Sequence, residues 1–190
     1  MSVDIRIRRM RPDDTAFVID TWVETFRNTY AAGVVPMKFY QADYRKYVAT
    51  LLADREPDVL VAYDAAAEVA GAELLGYLVF ETSATFPAGR RMKTVGPVVH
   101  YCYVKEYMRG HGLARALFAA AKIDQHGELY FTFKPTEHDR KPDAKKWKDT
   151  IPRARWNPLI ARYPKTTTPT EQTTNEAQAG EVSRERRHPG

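Results

Sequence analysis

Arg109, Gly110, His111, Gly112, Leu113 and Ala114 stand between an apolar run, VVHYCYV at Val98–Val104, and an alanine- and leucine-rich run that continues to Ala121. The first run is β-branched and aromatic and reads as a buried strand. The second reads as a helix. Strand, glycine-bearing turn and helix in that order form a device for holding an anion. The first backbone N–H groups of a helix have no partner within it, and the peptide dipoles add positive potential there. Glycine lets the backbone come close to a phosphate and adopt conformations that a β-carbon forbids. Arg109 adds a fixed positive charge beside the same spot. The glycines alone would equally suit a strand-to-helix turn with no ligand, because short glycine patterns recur by chance.

Further side chains have the chemistry to move protons. His100 lies two residues before Cys102, and strict period-two alternation puts both on one face, with Tyr101 and Tyr103 on the other. An imidazole titrates near neutrality, which suits proton transfer, although a lone strand histidine is commonly a hydrogen-bonded core residue. Glu81 ends an earlier apolar run and is the alternative base; Glu137 and His138 are more distant ones. Tyr101, Tyr103 and Tyr130 are candidate acids, although the alternation sends Tyr101 and Tyr103 to the face opposite His100. Cys102, inside the strand, reads as packed rather than reactive. His126, Glu137, His138 and Asp139 are metal-ligand types, but no H-x-x-x-H or C-x-x-C spacing organises them, so no metal site is expected. The phosphate-loop pattern G-x-x-x-x-G-K-[ST] is absent, which disfavours phosphoryl transfer.

The elements that must position these residues follow in chain order. Val3, Ile5 and Ile7 alternate with Asp4, Arg6 and Arg8, a first strand. Asp13 or Asp14 can cap the helix that follows, whose apolar positions Phe17, Val18, Trp22, Val23 and Phe26 recur at helical spacing. A second helix runs from about Met37 to Leu52 with Phe39, Tyr40, Tyr44, Tyr47 and Leu51, and Pro57-Asp58 ends it. Val59–Tyr63 and Leu74–Glu81 read as a strand hairpin. Thr82–Gly96, with Pro87, Gly89 and the basic Arg90, Arg91 and Lys93, reads as a mobile loop. After the central strand and helix, Glu128–Lys134 is a fifth strand, and Ile151–Tyr163 a strand-like segment covering the domain. Residues 1–163 make one domain; 164–190 are almost without apolar residues and read as a disordered polar tail.

Composition sets the outer bounds. A chain of 190 residues with 44% hydrophobic residues can build one sizeable core. One cysteine excludes an internal disulfide and points to a reducing, cytoplasmic setting. No run has the length of a membrane span, and the start MSVDIRIRRM lacks the apolar core of a signal peptide, so a soluble protein is expected. The net charge of +5 suits an anionic cofactor and nucleic acid alike.

Taken together, an apolar strand, a short gap, R-x-x-G-x-A at Arg109, Gly112 and Ala114 with Gly110 giving R-G-x-G, and an alanine/leucine helix resembles the acyl-coenzyme A loop of the GNAT acyltransferases. IRRMRPDD before an amphipathic helix, and VLVAYD…ELLGYLVFE with Gly76, are similar to the opening and to the second and third strands of that family. The resemblance implies an α/β fold of the α+β kind: a mixed, mostly antiparallel central sheet flanked by helices. It implies acetyl-coenzyme A as acyl donor and an amine acceptor, whether small molecule, protein or nucleobase. Arg109–Ala114 would hold the cofactor's phosphates, and Cys102, Tyr103 and Val104 would present main-chain groups to the pantetheine arm. N–H groups near Tyr103 and Val104 would polarise the carbonyl, with His100 or Glu81 as base. The fifth strand would splay from the fourth to admit the acyl arm. Trp147 falls where many members place a tyrosine acid, and an indole donates no acidic proton, so the resemblance does not supply the acid.

Thr21-Trp22…Phe26-Arg27, V-x-H-Y-x-Y-V-K from Val98 and Trp156-Asn157-Pro158 also resemble GNAT-related proteins of tailed bacteriophages. That resemblance implies an accessory or virion-associated role, in a phage assembly or a homo-oligomer, or DNA-base modification as in the Mom family. In the last case Arg90–Lys93 and the Lys145–Arg155 region would contact phosphates.

Overall fold

Isoleucines alternating with arginines form an edge strand, β1 (Ile5–Arg9), in which Ile7 packs inward. The computed structural model describes residues 4–27, 36–66, 73–133 and 153–162. Arg8 turns instead to Asp14, with guanidinium–carboxylate contacts of 2.5 and 3.0 Å. Asp14 also accepts the Arg11 backbone N–H at 2.7 Å, so it braces the short 3-10 turn Pro12–Asp14 that leads into α1 (Thr15–Arg27). Val18, Trp22 and Val23 form the buried stripe of α1, with Phe17 and Phe26 beside it, as the spacing predicts. The second helix, α2 (Met37–Arg55), buries Tyr40, Val48 and Leu51. It runs past the expected end at Leu52 and stops where Glu56, ahead of Pro57, turns left-handed at φ 45°. A residue before proline is barred from the helical region by the ring's Cδ.

β2 (Asp58–Asp64) and β3 (Glu73–Glu81) pair antiparallel, with Leu60 opposite Leu78. Gly76 lies inside β3, where a β-carbon would stand 2.5 Å from the Tyr103 carbonyl oxygen, so only glycine permits the approach of the next strand. The segment expected to be a mobile loop is a second small sheet, β4 (Ala84–Ala88) paired with β5 (Arg91–Val95). Its alternation is real: Ala84, Phe86 and Val95 face inward onto Val98, Tyr130 and Ile160, while the basic residues face out. Pro87 is tolerated because this hairpin lies apart from the main sheet and its backbone need not donate on both sides.

The central strand β6 (Val98–Val104) pairs antiparallel with β3, and β7 (Leu129–Phe131) then runs parallel to β6. A last strand, β8 (Ala154–Trp156), lies parallel to β7 and leads to the 3-10 turn Ile160–Arg162. The six-stranded order is β1-β2-β3-β6-β7-β8. Between β6 and β7 comes the third helix, α3 (Leu113–Ala120), which packs Leu113, Leu117 and Phe118 on one face of the sheet. The first two helices cover the other face with Trp22, Val48 and Leu51 against Val61, Tyr77 and Tyr101. Each fully buried leucine or valine in these two layers contributes about 1.5–3 kcal/mol. No helix among the described residues is long and apolar enough to cross a membrane. The expected tail at 164–190 lies outside the described residues.

Candidate active site

The site begins where β6 loses its parallel partner. Tyr130 N–H donates to the Pro97 carbonyl at 2.9 Å and Thr132 N–H to the Val99 carbonyl at 3.1 Å. Beyond that rung, among the described residues, β6 and β7 pair no further, while β6 runs on to Val104. The opening is a fork, with Phe133 leaning on Tyr101 across it at a ring separation of 5.2 Å.

The register of β6 decides which main-chain groups face this fork. Gly76 to Val79 pair with Val104 to Tyr101 in step, but Phe80 pairs with Val99, so His100 is an extra residue in β6. It is a β-bulge. Lys105 N–H donates to the Leu75 carbonyl at 2.9 Å. Antiparallel rungs alternate, so Tyr103 and Tyr101 also bond to β3, while Cys102 and Val104 turn their N–H and C=O groups away from it, toward the fork. The N–H groups that face the fork are therefore those of Cys102 and Val104, while the Tyr103 N–H is engaged with β3.

The bulge also corrects the face of His100. Cys102 and Val104 pack on the α3 side of the sheet, and Tyr101 on the α1/α2 side. Because His100 is the inserted residue, its ring joins the α1/α2 side with Tyr101 instead of the Cys102 side. There it meets Glu81. His100 Nε2 lies 2.7 Å from Glu81 Oε1, and Nδ1 lies 3.2 Å from Thr132 Oγ1. Arg55, from the last turn of α2, grips the same carboxylate through Nε at 2.6 Å and Nη2 at 3.0 Å. All four side chains are buried. Burial alone would raise the Glu81 carboxyl, but the His100 and Arg55 hydrogen bonds outweigh it and hold Glu81 below the usual carboxylate range. Burial depresses the His100 imidazole, and its hydrogen bond to Glu81 opposes this only in part. The downward shift favours the neutral ring at and above neutral pH. An ionised carboxylate accepts only, so Nε2 carries the hydrogen and Nδ1 offers its lone pair to the Thr132 hydroxyl.

After β6, a 3-10 turn at Glu106–Met108, anchored by buried Met108, brings the chain to Arg109. Gly110 and Gly112 both adopt left-handed φ, 84° and 81°, and a β-carbon on either would meet open space. Gly112 is the N-cap of α3 and, being glycine, supplies no side-chain cap to this helix start. Its leading N–H groups, from Leu113 and Ala114 onward, therefore face outward without an intrahelical partner. Among the described residues the Arg109 guanidinium makes one hydrogen bond, Nε to the Val104 carbonyl at 3.2 Å. The bond ties the loop to the end of β6 through Nε alone. The His111 ring, exposed, stands 3.1 Å from the Arg109 carbonyl through Nδ1. Burial in the strand pushes the Cys102 thiol up to about 12, so it is packed and unreactive at neutral pH.

Of the sequence-predicted residues, then, His100 and Glu81 come together, and Arg109 reaches back to the Val104 carbonyl at the end of β6. Tyr130 does not join them. It pairs with Val98 at the closed end of the β6/β7 ladder, and its hydroxyl donates to Glu128 at 3.0 Å. Glu128 also ion-pairs with Arg155 at 2.8 Å. Trp147, Glu137, His138, Asp139 and most of Lys145–Arg155 lie outside the described residues. Sequence reasoning missed Arg55 and Thr132. Arg55 was hidden by a helix read one turn too short, and Thr132 by its place as one hydroxyl in an apolar strand.

With this geometry in hand, the chain can be set beside solved structures. A candidate acetyl transferase from Pyrococcus furiosus aligns over 77% of this chain and 91% of its own length, at 15% identity and a TM-score of 0.54. A candidate acetyltransferase from Clostridium difficile 630 aligns over 76% and 89%, at 15% identity and a TM-score of 0.46. No family model and no curated protein matches the chain. The fold is that of the GNAT acetyltransferases.

Proposed function

We propose that this protein is an acyltransferase that takes an acetyl group from acetyl-coenzyme A and passes it to an amine. The observation that carries the reading is the junction of two features at the end of β6: a fork between strands among the described residues, and a helix start with glycine at its N-cap beside a partly engaged arginine. The residues present fit the donor. Open space around Gly110 and Gly112 admits phosphate oxygens to the backbone, and the Arg109 Nη groups add charge-assisted hydrogen bonds. The main-chain groups of Cys102 and Val104 orient the extended arm, and an N–H aimed into the fork stabilises negative charge developing on a thioester carbonyl. His100, held neutral, is the base, and Glu81 fixes its tautomer. The acceptor is an amine of a small molecule, a protein or a nucleobase. Arg90, Arg91 and Lys93, exposed on the small hairpin, favour an anionic acceptor.

A second reading is favoured by one observation. The His100 ring is wholly enclosed and both nitrogens are engaged, which would suit an accessory protein, of a phage or otherwise, that keeps the fold without turnover. Calorimetric titration of acetyl-coenzyme A into the wild type and into Arg109→Ala and Gly112→Asp variants tests the cofactor site. Micromolar binding is expected, weakened about 10- to 100-fold in Arg109→Ala, the worth of one charge-assisted hydrogen-bonding group. Absence of binding by folded wild type would overturn the acyl-transfer reading.

A further inference from the structure

The buried quartet poses a problem for any base. His100 is 0% exposed, Arg55 1%, Glu81 2% and Thr132 9%. No acceptor can touch the imidazole, so a proton can reach it only through a neighbour. The Nε2 side is closed, because Glu81 Oε1 there is shared with Arg55 Nε and Oε2 is held by Nη2. The Nδ1 side ends on Thr132 Oγ1 at 3.2 Å. Thr132 carries the last backbone rung between β6 and β7, at the root of the fork where the thioester is placed. Carboxylate, imidazole and hydroxyl in a line form the arrangement by which a base is oriented and a hydroxyl is activated.

From this geometry, and resting on the acyl-transfer reading, we infer that Thr132 is the substrate-facing end of a proton relay, Thr132–His100–Glu81. The Thr132 hydroxyl takes a proton from the acceptor ammonium while its own hydrogen passes to His100 Nδ1. The acceptor becomes a neutral amine, the threonine is unchanged, and the ring becomes an imidazolium beside the Glu81 carboxylate. The amine lone pair then forms the C–N bond, the C–S bond breaks, and the second nitrogen proton leaves with the thiol. The groups facing the ring are Glu81 from β3, Arg55 from α2 and Thr132 just past β7. Thr132 is a catalytic residue in this scheme and Glu81 a positioning one.

Two measurements on the full chain decide it. Nitrogen-15 spectra of the His100 ring in wild type are expected to show the Nε2–H tautomer. An Nδ1–H tautomer overturns the relay, since a ring donating to Thr132 cannot accept from it. Thiol release from acetyl-coenzyme A, with ethylamine as probe acceptor, is then compared in wild type, Thr132→Val and Thr132→Ser. Expected is a loss of about 100-fold in kcat for the valine variant, with KM and calorimetric coenzyme A affinity retained. The pH profile should lose its acid limb in that variant, and serine should restore most of the rate. A valine variant within twofold of wild type, or a wild type that binds coenzyme A and releases no thiol above buffer, overturns the relay. Failure of coenzyme A to bind instead brings down the acyl-transfer reading, a result the tautomer measurement does not share.

Discussion

A carboxylate and an arginine that are almost wholly buried are stable together only because each satisfies the other. The desolvation of two such ions costs several kcal/mol each, and only a close bidentate contact with further hydrogen bonds offsets it. Arg55 and Glu81 meet that condition, and His100 adds the further bond. The sign of the pH dependence follows. The folded state holds His100 below its ordinary 6.5 and Glu81 below its ordinary 4.5. In acid the unfolded chain takes up these protons first, so stability is full above about pH 6.5 and falls as pH drops through that value and then through 4.5 toward the lower folded values. Urea midpoints measured from pH 8 to pH 4 should decline along this course, and His100→Gln should flatten the part between pH 7 and pH 5. An unchanged slope in that variant would show that other groups govern the acid limb. From the sequence, His100 and Glu81 are legible as rival bases. That they form one network is not, because a bulge adds one residue to β6 and turns the ring to the other face. Arg55 was within reach of sequence reasoning, since the proline rule places the helix stop at Glu56.

At the scale of elements, the strand–turn–helix around Arg109 was legible almost in full. Its signals are local: a β-branched run, glycines where φ is positive, and an alanine/leucine helix whose Leu113 and Leu117 point inward. The small hairpin was not. Proline, glycine and a basic run at Pro87–Lys93 mimic a loop, and only the burial of Phe86 and Val95 against β6 and β7 makes strands of them. Gly76 is an element-scale requirement as well. Adding one methyl there sets a β-carbon 2.5 Å from the Tyr103 carbonyl oxygen, and a backbone atom cannot yield as a side chain can. Gly76→Ala should lower stability by about 1–3 kcal/mol, read as a fall in urea midpoint with unchanged slope. It should also weaken coenzyme A binding, because β6 carries Cys102 and Val104. A variant as stable as wild type would mean that β3 and β6 are not in this register.

Across the whole molecule, the sheet separates two kinds of work. Its α3 side carries the Arg109–Gly112 loop and an apolar core, and its α1/α2 face carries the buried Arg55–Glu81 pair and the aromatic cluster of Trp22, Tyr77 and Tyr101. The fork between β6 and β7 is where the faces communicate, with Arg109 tied to one end of β6 and Thr132 bonded near the other. The overall class of fold was legible because period-two and helical stretches succeed one another in the order of the family resembled. The parallel edge formed by β7 and β8 was not, because pairing between distant short segments leaves no local trace. Coenzyme A bound at this junction would be seen in amide spectra of the labelled full chain recorded with added coenzyme A. Gly110, Gly112, Leu113 and Ala114 should shift first, together with Cys102 and Val104, while Leu129 and Tyr130 at the closed end of the ladder stay in place. Shifts confined to the outer edge at Ala154–Trp156, or none at saturating ligand, would contradict binding at this junction.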